Sequence, residues 1–407
     1  KDGKTIYYAS RYFNRIRIME VSSLGLVTVN DDLDLGELYV DGMYLTDTQL
    51  IVIGYTLESR PYMGPSGQED IATMGWFYYS YTGTVRIYDL NDLSVLYELR
   101  TDTNLYHHRV IEDNLFIVSN KYLNSNQTTD LRPQFDITTD GNQQTSYLEY
   151  KDIYYFDHVS IYSMTVIMGI KLSNFEMSSQ GFLGRVDHIY ASNSTLVTVQ
   201  NDYQYRWDAP SLYQSHLISY DLDLVNGKVN YVGQISVEGH IQNSYWIDHY
   251  DGYLRVVTAS FWPMHNRLFV IESNPQNDQM KVVGSITENL GKVDETVKSV
   301  RFNGTFAYVV TFVQTDPLYT IDLSNPKNPT IIKYEEEPGY STYLHVWGAP
   351  DRLIGLGIAE DQRTLKISAY ITGTGEPVDT YFIGPKEQDV WHYGYSEALW
   401  NPKAILV

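Results

Sequence analysis

The ionisable residues best suited to chemistry in this chain recur at matching places along it. They are His107, His108 and Arg109, then Asp187 and His188, Asp248 and His249, Arg301, His345 and Glu397. Most stand just ahead of a short polar turn, which places them on the first strand of a hairpin. If such hairpins repeat around a common axis, their first strands line it. Imidazole nitrogen with carboxylate oxygen is a workable donor set for zinc, manganese or iron and needs no thiolate. Successive side chains of a strand point to opposite faces, so only one of Asp187 and His188, and one of Asp248 and His249, can face inward. Asp248 and His345 are therefore the leading metal candidates, and a divalent cation is the one cofactor the residues suggest. Arg301, His188 and Glu397 complete the binding candidates. The same Asp, His and Arg groups could serve a hydrolase or lyase. The plainer expectation is that they pair with one another and with water, as buried polar groups must.

Other chemistry is thinly represented. There is no P-loop, no nucleophile elbow of the Gly-x-Ser-x-Gly type and no His-Glu-x-x-His helix. Asp31, Asp32 and Asp34 lie close together but lack the ligand spacing of a calcium loop, so they read as a solvated turn. Asn126, Asn193 and Asn303 open Asn-x-Ser/Thr triplets, the last two in expected hairpin turns where a glycan fits.

The elements that must position these residues show in a recurring marker, four residues of β-type alternation with a polar residue usually closing them. It appears at Ile16–Glu20, Val85–Asp89, Ile167–Lys171, Leu217–Asp221, Leu268–Glu272, Leu318–Asp322 and Leu365–Ala369. Four of the six spacings fall at about fifty residues, the signature of a repeat architecture. Ahead of the marker lies a hairpin with a turn such as Tyr250-Asp251-Gly252, Phe302-Asn303-Gly304 or Ser192-Asn193-Ser194. Behind it comes a further strand. One four-stranded meander cannot bury both faces, but a ring of them can. The fold expected is an all-β propeller of four-stranded antiparallel blades in one domain over residues 1–407. Seven blades carry the marker. The tail Glu397–Val407 reads as the first hairpin of an incomplete eighth, which favours eight positions; pairing of that tail near Thr5–Ser10 would instead close seven.

Two insertions interrupt the spacing, at about 59–82 and 124–152. The first holds Tyr62, Trp76 and Tyr78; the second is rich in Asn, Gln, Thr and Asp. Both fall between the second and third strands of consecutive blades, so both should emerge on one face as long loops with little protection. Tyrosine and tryptophan give large contact area at small entropy cost, which makes these loops candidates to recognise a protein or glycan. Deleting 124–152 should then abolish binding and leave melting nearly unchanged.

Composition narrows the partners. With 29 Lys and Arg against 50 Asp and Glu, the net charge is −21, which disfavours nucleic acid and anionic lipid. There is no cysteine, so disulfides, thiolate metal sites and redox pairs are excluded. No apolar run reaches the ~18–20 residues of a membrane span. The chain opens Lys1-Asp2-Gly3 without Met, which reads as a mature or trimmed fragment.

Residues 299–345 resemble a secreted bacterial and archaeal β-propeller family distantly related to WD repeats. The resemblance is carried by Ser299-Val300-Arg301-Phe302-Asn303-Gly304, Ala307–Phe312, Asp316–Pro326 and Gly339–His345. It continues in Asp2–Tyr7, His188–Ser192 and Asp251–Val256, and spans nearly the whole chain outside the insertions. It implies export and a prokaryotic cell-surface location. It assigns no substrate and no catalytic residue. The chain departs from the family at His249, where an acidic residue usually stands beside the aspartate matching Asp248. The Gly-His and Trp-Asp pairs of true WD repeats do not recur from blade to blade, each occurring once, at Gly239-His240 and Trp207-Asp208. A binding or structural module is the first expectation, and a hydrolase or lyase at the channel the alternative.

Overall fold

A computed structural model of the chain describes residues 4–10, 13–61, 77–123, 130–156, 162–273, 280–312, 315–349, 351–361, 363–371, 377–384 and 396–399. The marker residues build the third strand of nearly every sheet. Sheet 1 holds β1 (Thr5–Ser10), β2 (Phe13–Val21) and β3 (Val27–Asp34); sheet 2 holds β4 (Tyr39–Leu45), β5 (Gln49–Pro61), β6 (Phe77–Asp89) and β7 (Val95–Thr101). Sheet 3 runs β8 (Asn104–Ile111), β9 (Asn114–Tyr122), then past β10 (Gln134–Thr139) and β11 (Asn142–Tyr147) to β13 (Ser163–Lys171) and β14 (Met177–Leu183), with β12 (Ile153–Tyr155) added in parallel beside β14 as a fifth strand. Sheet 4 holds β15 (His188–Ala191), β16 (Thr195–Gln204), β17 (Leu212–Asp223) and β18 (Lys228–Glu238). Sheet 5 holds β19 (Ile247–Tyr250), β20 (Tyr253–Phe261), β21 (Met264–Glu272) and β22 (Lys281–Ile286). Sheet 6 holds β23 (Thr296–Asn303), β24 (Phe306–Phe312), β25 (Thr315–Asp322) and β26 (Thr330–Pro338). Sheet 7 holds β27 (Tyr340–Val346), β28 (Arg352–Ile358), β29 (Leu365–Ile371) and β30 (Pro377–Ile383).

This is an all-β propeller of seven blade-like sheets with open topology, since sheet 1 uses only the first strands and sheet 7 only the last. In sheet 1 the marker is the second of three strands, so the blade lacks its first strand. Of the expected eighth blade, Glu397–Leu399 is a turn of 3₁₀ helix and 400–407 lie outside the described residues. By internal contacts the chain divides into two compact units, Lys1–Arg185 with Leu222–Val229, and Val186–Asp221 with Asn230–Val407.

Alternation on the second strands explains how blades stack. Within the first unit, Leu50 and Val52 of β5 join a core with Ile16 and Leu38, while Ile51 and Ile53 join another with Leu115 and Val166. All four are fully buried. Within the second unit, Ala307 and Val309 of β24 face the core of sheet 5, and Tyr308 and Val310 face Leu344 and Leu353 of sheet 7. A strand sandwiched between blades reads as a continuous apolar run, and each such side chain contributes ~1.5–3 kcal/mol by leaving water. The expected Asp251-Gly252 turn is present, with φ of 50° and 78°. Those positive values are what a two-residue hairpin turn with the native twist requires.

A β-bulge recurs on the first strands, between Val40 and Gly42, Leu105 and His107, Val297 and Ser299, and Ser341 and Tyr343. Each leaves one residue unpaired and re-aims the side chains around it.

Both insertions differ from the loops expected. Residues 59–61 and 77–82 continue the β5–β6 ladder out to Pro61 opposite Phe77. Within 124–152, β10 pairs with β7 and β11 with β10, so this hairpin widens sheet 2 to six strands. Phe135 and Leu148 are buried in the core between sheets 2 and 3, which corrects the expectation that 124–152 is dispensable for stability. The polar-looking segment is anchored by these two apolar residues together with the partly buried Ile137.

Candidate functional site

The expected first-strand residues are dealt with differently in each blade. In sheet 5, Asp248 on β19 faces Arg255 on β20, and Arg255 Nε donates to its carboxylate at 2.9 Å. A second donation comes from Nη2, while Nη1 donates to the Gly304 carbonyl. The guanidinium also lies 4.8 Å from the Tyr250 ring centre and 5.2 Å from that of Phe302. Arg255 is only 3% exposed, so Asp248 holds the counter-charge of a buried cation. His249 stitches blades together. Ser273 Oγ spends its hydrogen on the Gly252 carbonyl at 2.6 Å, so His249 Nε2 donates to Ser273 at 3.0 Å. Its Nδ1 then accepts from Thr195 Oγ1 at 3.3 Å, across from sheet 4. Burial holds this imidazole below the ordinary histidine range.

Asp187 accepts a hydrogen bond from the Asn201 backbone N–H at 2.8 Å. Its neighbour His188 is half-buried, which lowers its pKa despite the aspartate beside it. His108 contacts sheet 2, where the Tyr44 hydroxyl donates to its carbonyl at 2.7 Å. Gly42 leaves room for the His108 ring, since a Cβ there would stand 2.1 Å from it. Glu397 is exposed on its 3₁₀ turn. Among the described residues no three His, Asp or Glu side chains gather as a metal ligand set.

Arg301 and His345 do come together. Both lie two residues beyond the first residue paired after a bulge, Arg301 opposite Tyr308 and His345 opposite Ile354. Tyr343 Oη lies 3.1 Å from His345 Nδ1, and its ring meets Tyr245 edge-on at 5.8 Å. Tyr245, on the 3₁₀ turn Ser244–Trp246 ahead of β19, has Arg301 over its ring at 6.0 Å. Burial and the Arg301 charge both lower the His345 pKa, and burial raises that of Tyr343. The result is a cluster of one fixed positive charge, an imidazole whose protonation is disfavoured and two phenols. Sequence reasoning named Arg301 and His345 but not the tyrosines, which looked like ordinary strand residues.

Aromatic rings gather elsewhere in the same unit. The β16–β17 tip carries Tyr203, Tyr205 and Trp207 at alternate positions, with Tyr205 75% and Trp207 86% exposed. The β20–β21 tip carries Trp262, 77% exposed. The Tyr213 ring meets Tyr203 tilted and His240 edge-on, both at 5.0 Å, and Phe261 edge-on at 5.8 Å, which ties the two tips together. His240 Nε2 donates to the Asp202 carbonyl at 2.8 Å and fixes the base of the cluster. Both tips join second to third strands, the connection at which the two insertions also occur. Of the recognition candidates there, Tyr62 and Trp76 lie outside the described residues, and Tyr78 pairs by its backbone with Arg60 on β5.

The first unit holds a polar cleft of about 400 Å³ lined by Asp34, Glu37, Thr56, Arg86, Glu98 and Arg100. Arg86 donates to Glu98 at 2.5 Å, to the Leu35 carbonyl and to Tyr88 Oη, so it serves as a joint between sheets 1 and 2. Asp31, Asp32 and Asp34 sit on edge strand β3 rather than in a turn, where Asp32 pairs with Arg15 and Arg17. Asn193 falls in the β15–β16 turn and Asn303 at the end of β23, while Asn126 is outside the described residues. Among the described residues no helix is long and apolar enough to cross a membrane.

A family model described as a beta propeller domain matches residues 1–407. An uncharacterized protein of Archaeoglobus fulgidus is 31% identical over 251 residues, covering 58% of this chain and 37% of that protein. Another, of Methanocaldococcus jannaschii, is 40% identical over 179 residues, covering 41% and 26%. The matched stretch thus spans well under half the length of either relative. Among solved structures, the β-propeller domain of the Trilobed protease from Pyrococcus furiosus aligns with 85% of this chain and 98% of that one, at 9% identity and a TM-score of 0.31. The Synechocystis apocarotenoid oxygenase aligns with 96% and 71%, at 10% identity and 0.38. Likeness at that level carries no inference about activity.

Proposed function

The chain belongs to the beta propeller domain family, and from that premise we propose that it is a binding module on the outside of a prokaryotic cell. It recognises a protein or glycan through the connections between second and third strands of its blades. The observation that carries this reading is the pair of tied tips bearing Tyr205, Trp207 and Trp262. Large rings held in water on a braced hairpin gain by burial against a partner, and such anchors commonly contribute about 2 kcal/mol or more each. The tip Tyr203-Gln204-Tyr205-Arg206-Trp207-Asp208 alternates rings with hydrogen-bonding side chains, so contact area and polar recognition are offered together. A net charge of −21 favours neutral or basic partners over nucleic acid. Export and a distant WD-repeat kinship follow the family resemblance, and the two similar relatives being archaeal supports a prokaryotic origin. Titration of intrinsic tryptophan fluorescence against envelope polysaccharides and purified envelope proteins tests it. Saturable change with one class is expected, and none with either class would overturn the reading.

A further inference from the structure

The packed arginines of the two units share a pattern that one of them breaks. Arg86 pairs with Glu98, Arg255 with Asp248 and Arg267 with Glu238. A guanidinium withdrawn from water needs that counter-charge, because an unpaired ion in low dielectric is costly. Arg301 is partly buried, and its Nε is shut off from solvent with no hydrogen-bond partner. Its described neighbours Tyr245, Tyr343 and His345 bring no carboxylate. They bring aromatic rings, two hydroxyls and an imidazole held neutral by burial and by Arg301 itself.

We infer that the cluster around Arg301 binds a carboxylate-bearing ligand, gripped by the terminal Nη1–Nη2 edge of the guanidinium and by the Tyr343 hydroxyl. In the tautomer whose His345 Nδ1–H donates to the Tyr343 oxygen across 3.1 Å, the phenol hydrogen is left for the ligand. The guanidinium contributes its planar fork, which matches the two oxygens of a carboxylate. The edge-on contact of Tyr245 with Tyr343 sets the phenol's direction, and Tyr245 under the guanidinium limits its swing. One positive charge balances one negative charge. A phosphate dianion would need a second cation, which these neighbours do not provide, and the negative charge of the molecule opposes a dianion more than a monoanion. The site lies on strands β23 and β27 and does not rest on the aromatic tips.

The test is thermal unfolding of the full chain in sodium acetate, with sodium chloride at matched ionic strength and sodium phosphate as separate arms. A ligand that binds only the folded state at ten times its Kd should raise Tm by about 3–6 °C for a unit of this size. The expected result is a saturating rise with acetate over chloride, absent in Arg301→Gln and reduced in Arg301→Lys and Tyr343→Phe. Should Arg301→Gln fail to fold, Arg301→Lys and Tyr343→Phe still decide the matter, since each keeps size and charge. An equal rise in these variants, or none in the wild-type chain, overturns the inference. A phosphate rise as large as that with acetate, and lost with Arg301, overturns the assignment to carboxylate.

Discussion

Replacing Asp248 by asparagine removes the carboxylate opposite Arg255 and keeps the shape of the side chain. Arg255 is 3% exposed, so its charge would stay buried against neutral partners. Breaking a buried pair by one partner costs about 3–5 kcal/mol. Here the lower end applies, because Asp248 retains 23% side-chain exposure and water can reach it. The Gly304 carbonyl and the rings of Tyr250 and Phe302 also remain beside the guanidinium. A loss of about 3 kcal/mol follows. For a unit of 150–250 residues this lowers Tm by about 6–12 °C. Differential scanning calorimetry should show the transition of the second unit moving by that amount. The double variant Asp248→Leu, Arg255→Met should lose less than Asp248→Asn alone, since it leaves no orphan charge. A shift under about 2 °C for Asp248→Asn, or a worse double variant, would refute the buried-charge reasoning.

Phe135→Ala should cost about 3–5 kcal/mol, measured by chemical denaturation, because its ring fills the core between sheets 2 and 3. Gly54→Ala should destabilise by about 1–3 kcal/mol, as its Cβ would stand 1.8 Å from the Tyr39 carbonyl oxygen; the melting curve checks it. Burial lowers the pKa of His188, His249 and His345, so near pH 6.5 the unfolded chain binds more protons than the folded one. Their contribution is whole above that pH and is lost on acidification, so melting temperatures should fall from pH 7.5 to 5.5. His249→Gln should flatten that profile.

Blade stacking shows only in the structure, where Leu50 to Ile53 alternate between two cores, because a short apolar run suits a buried helix as well. The repeat was legible because each blade is one meander of about fifty residues, so markers such as Leu217–Asp221, Leu268–Glu272 and Leu318–Asp322 recur at that spacing. Turn chemistry was legible for a similar reason, since Asp251-Gly252 fits a turn with two positive φ values. Side-chain pairing was not. Asp248 meets Arg255 because a tight turn folds β20 back on β19, and nothing in their residue types says that the arginine is buried. Bulges were hidden as well, although they decide where Arg301 and His345 point. The hairpin in 124–152 looked like a polar loop because its core contacts rest on few apolar residues, chiefly Phe135 and Leu148 with Ile137, among many polar neighbours. Tyr205, Trp207 and Trp262 passed as ordinary strand formers, for aromatic residues suit a pleated surface whether or not a partner covers them.

Binding by a four-fold variant, Tyr203→Ala, Tyr205→Ala, Trp207→Ala and Trp262→Ala, bears most directly on the proposed role of the tips. Tyr205, Trp207 and Trp262 are largely in water and should melt out little stability on removal, while Tyr203 also touches Tyr213 and sets the small loss expected. Calorimetry should therefore show a transition within a few degrees of wild type. Against whichever envelope polysaccharide or protein binds the wild-type chain, affinity should fall at least a hundredfold. Undiminished binding by a variant that melts like the wild type would contradict the account.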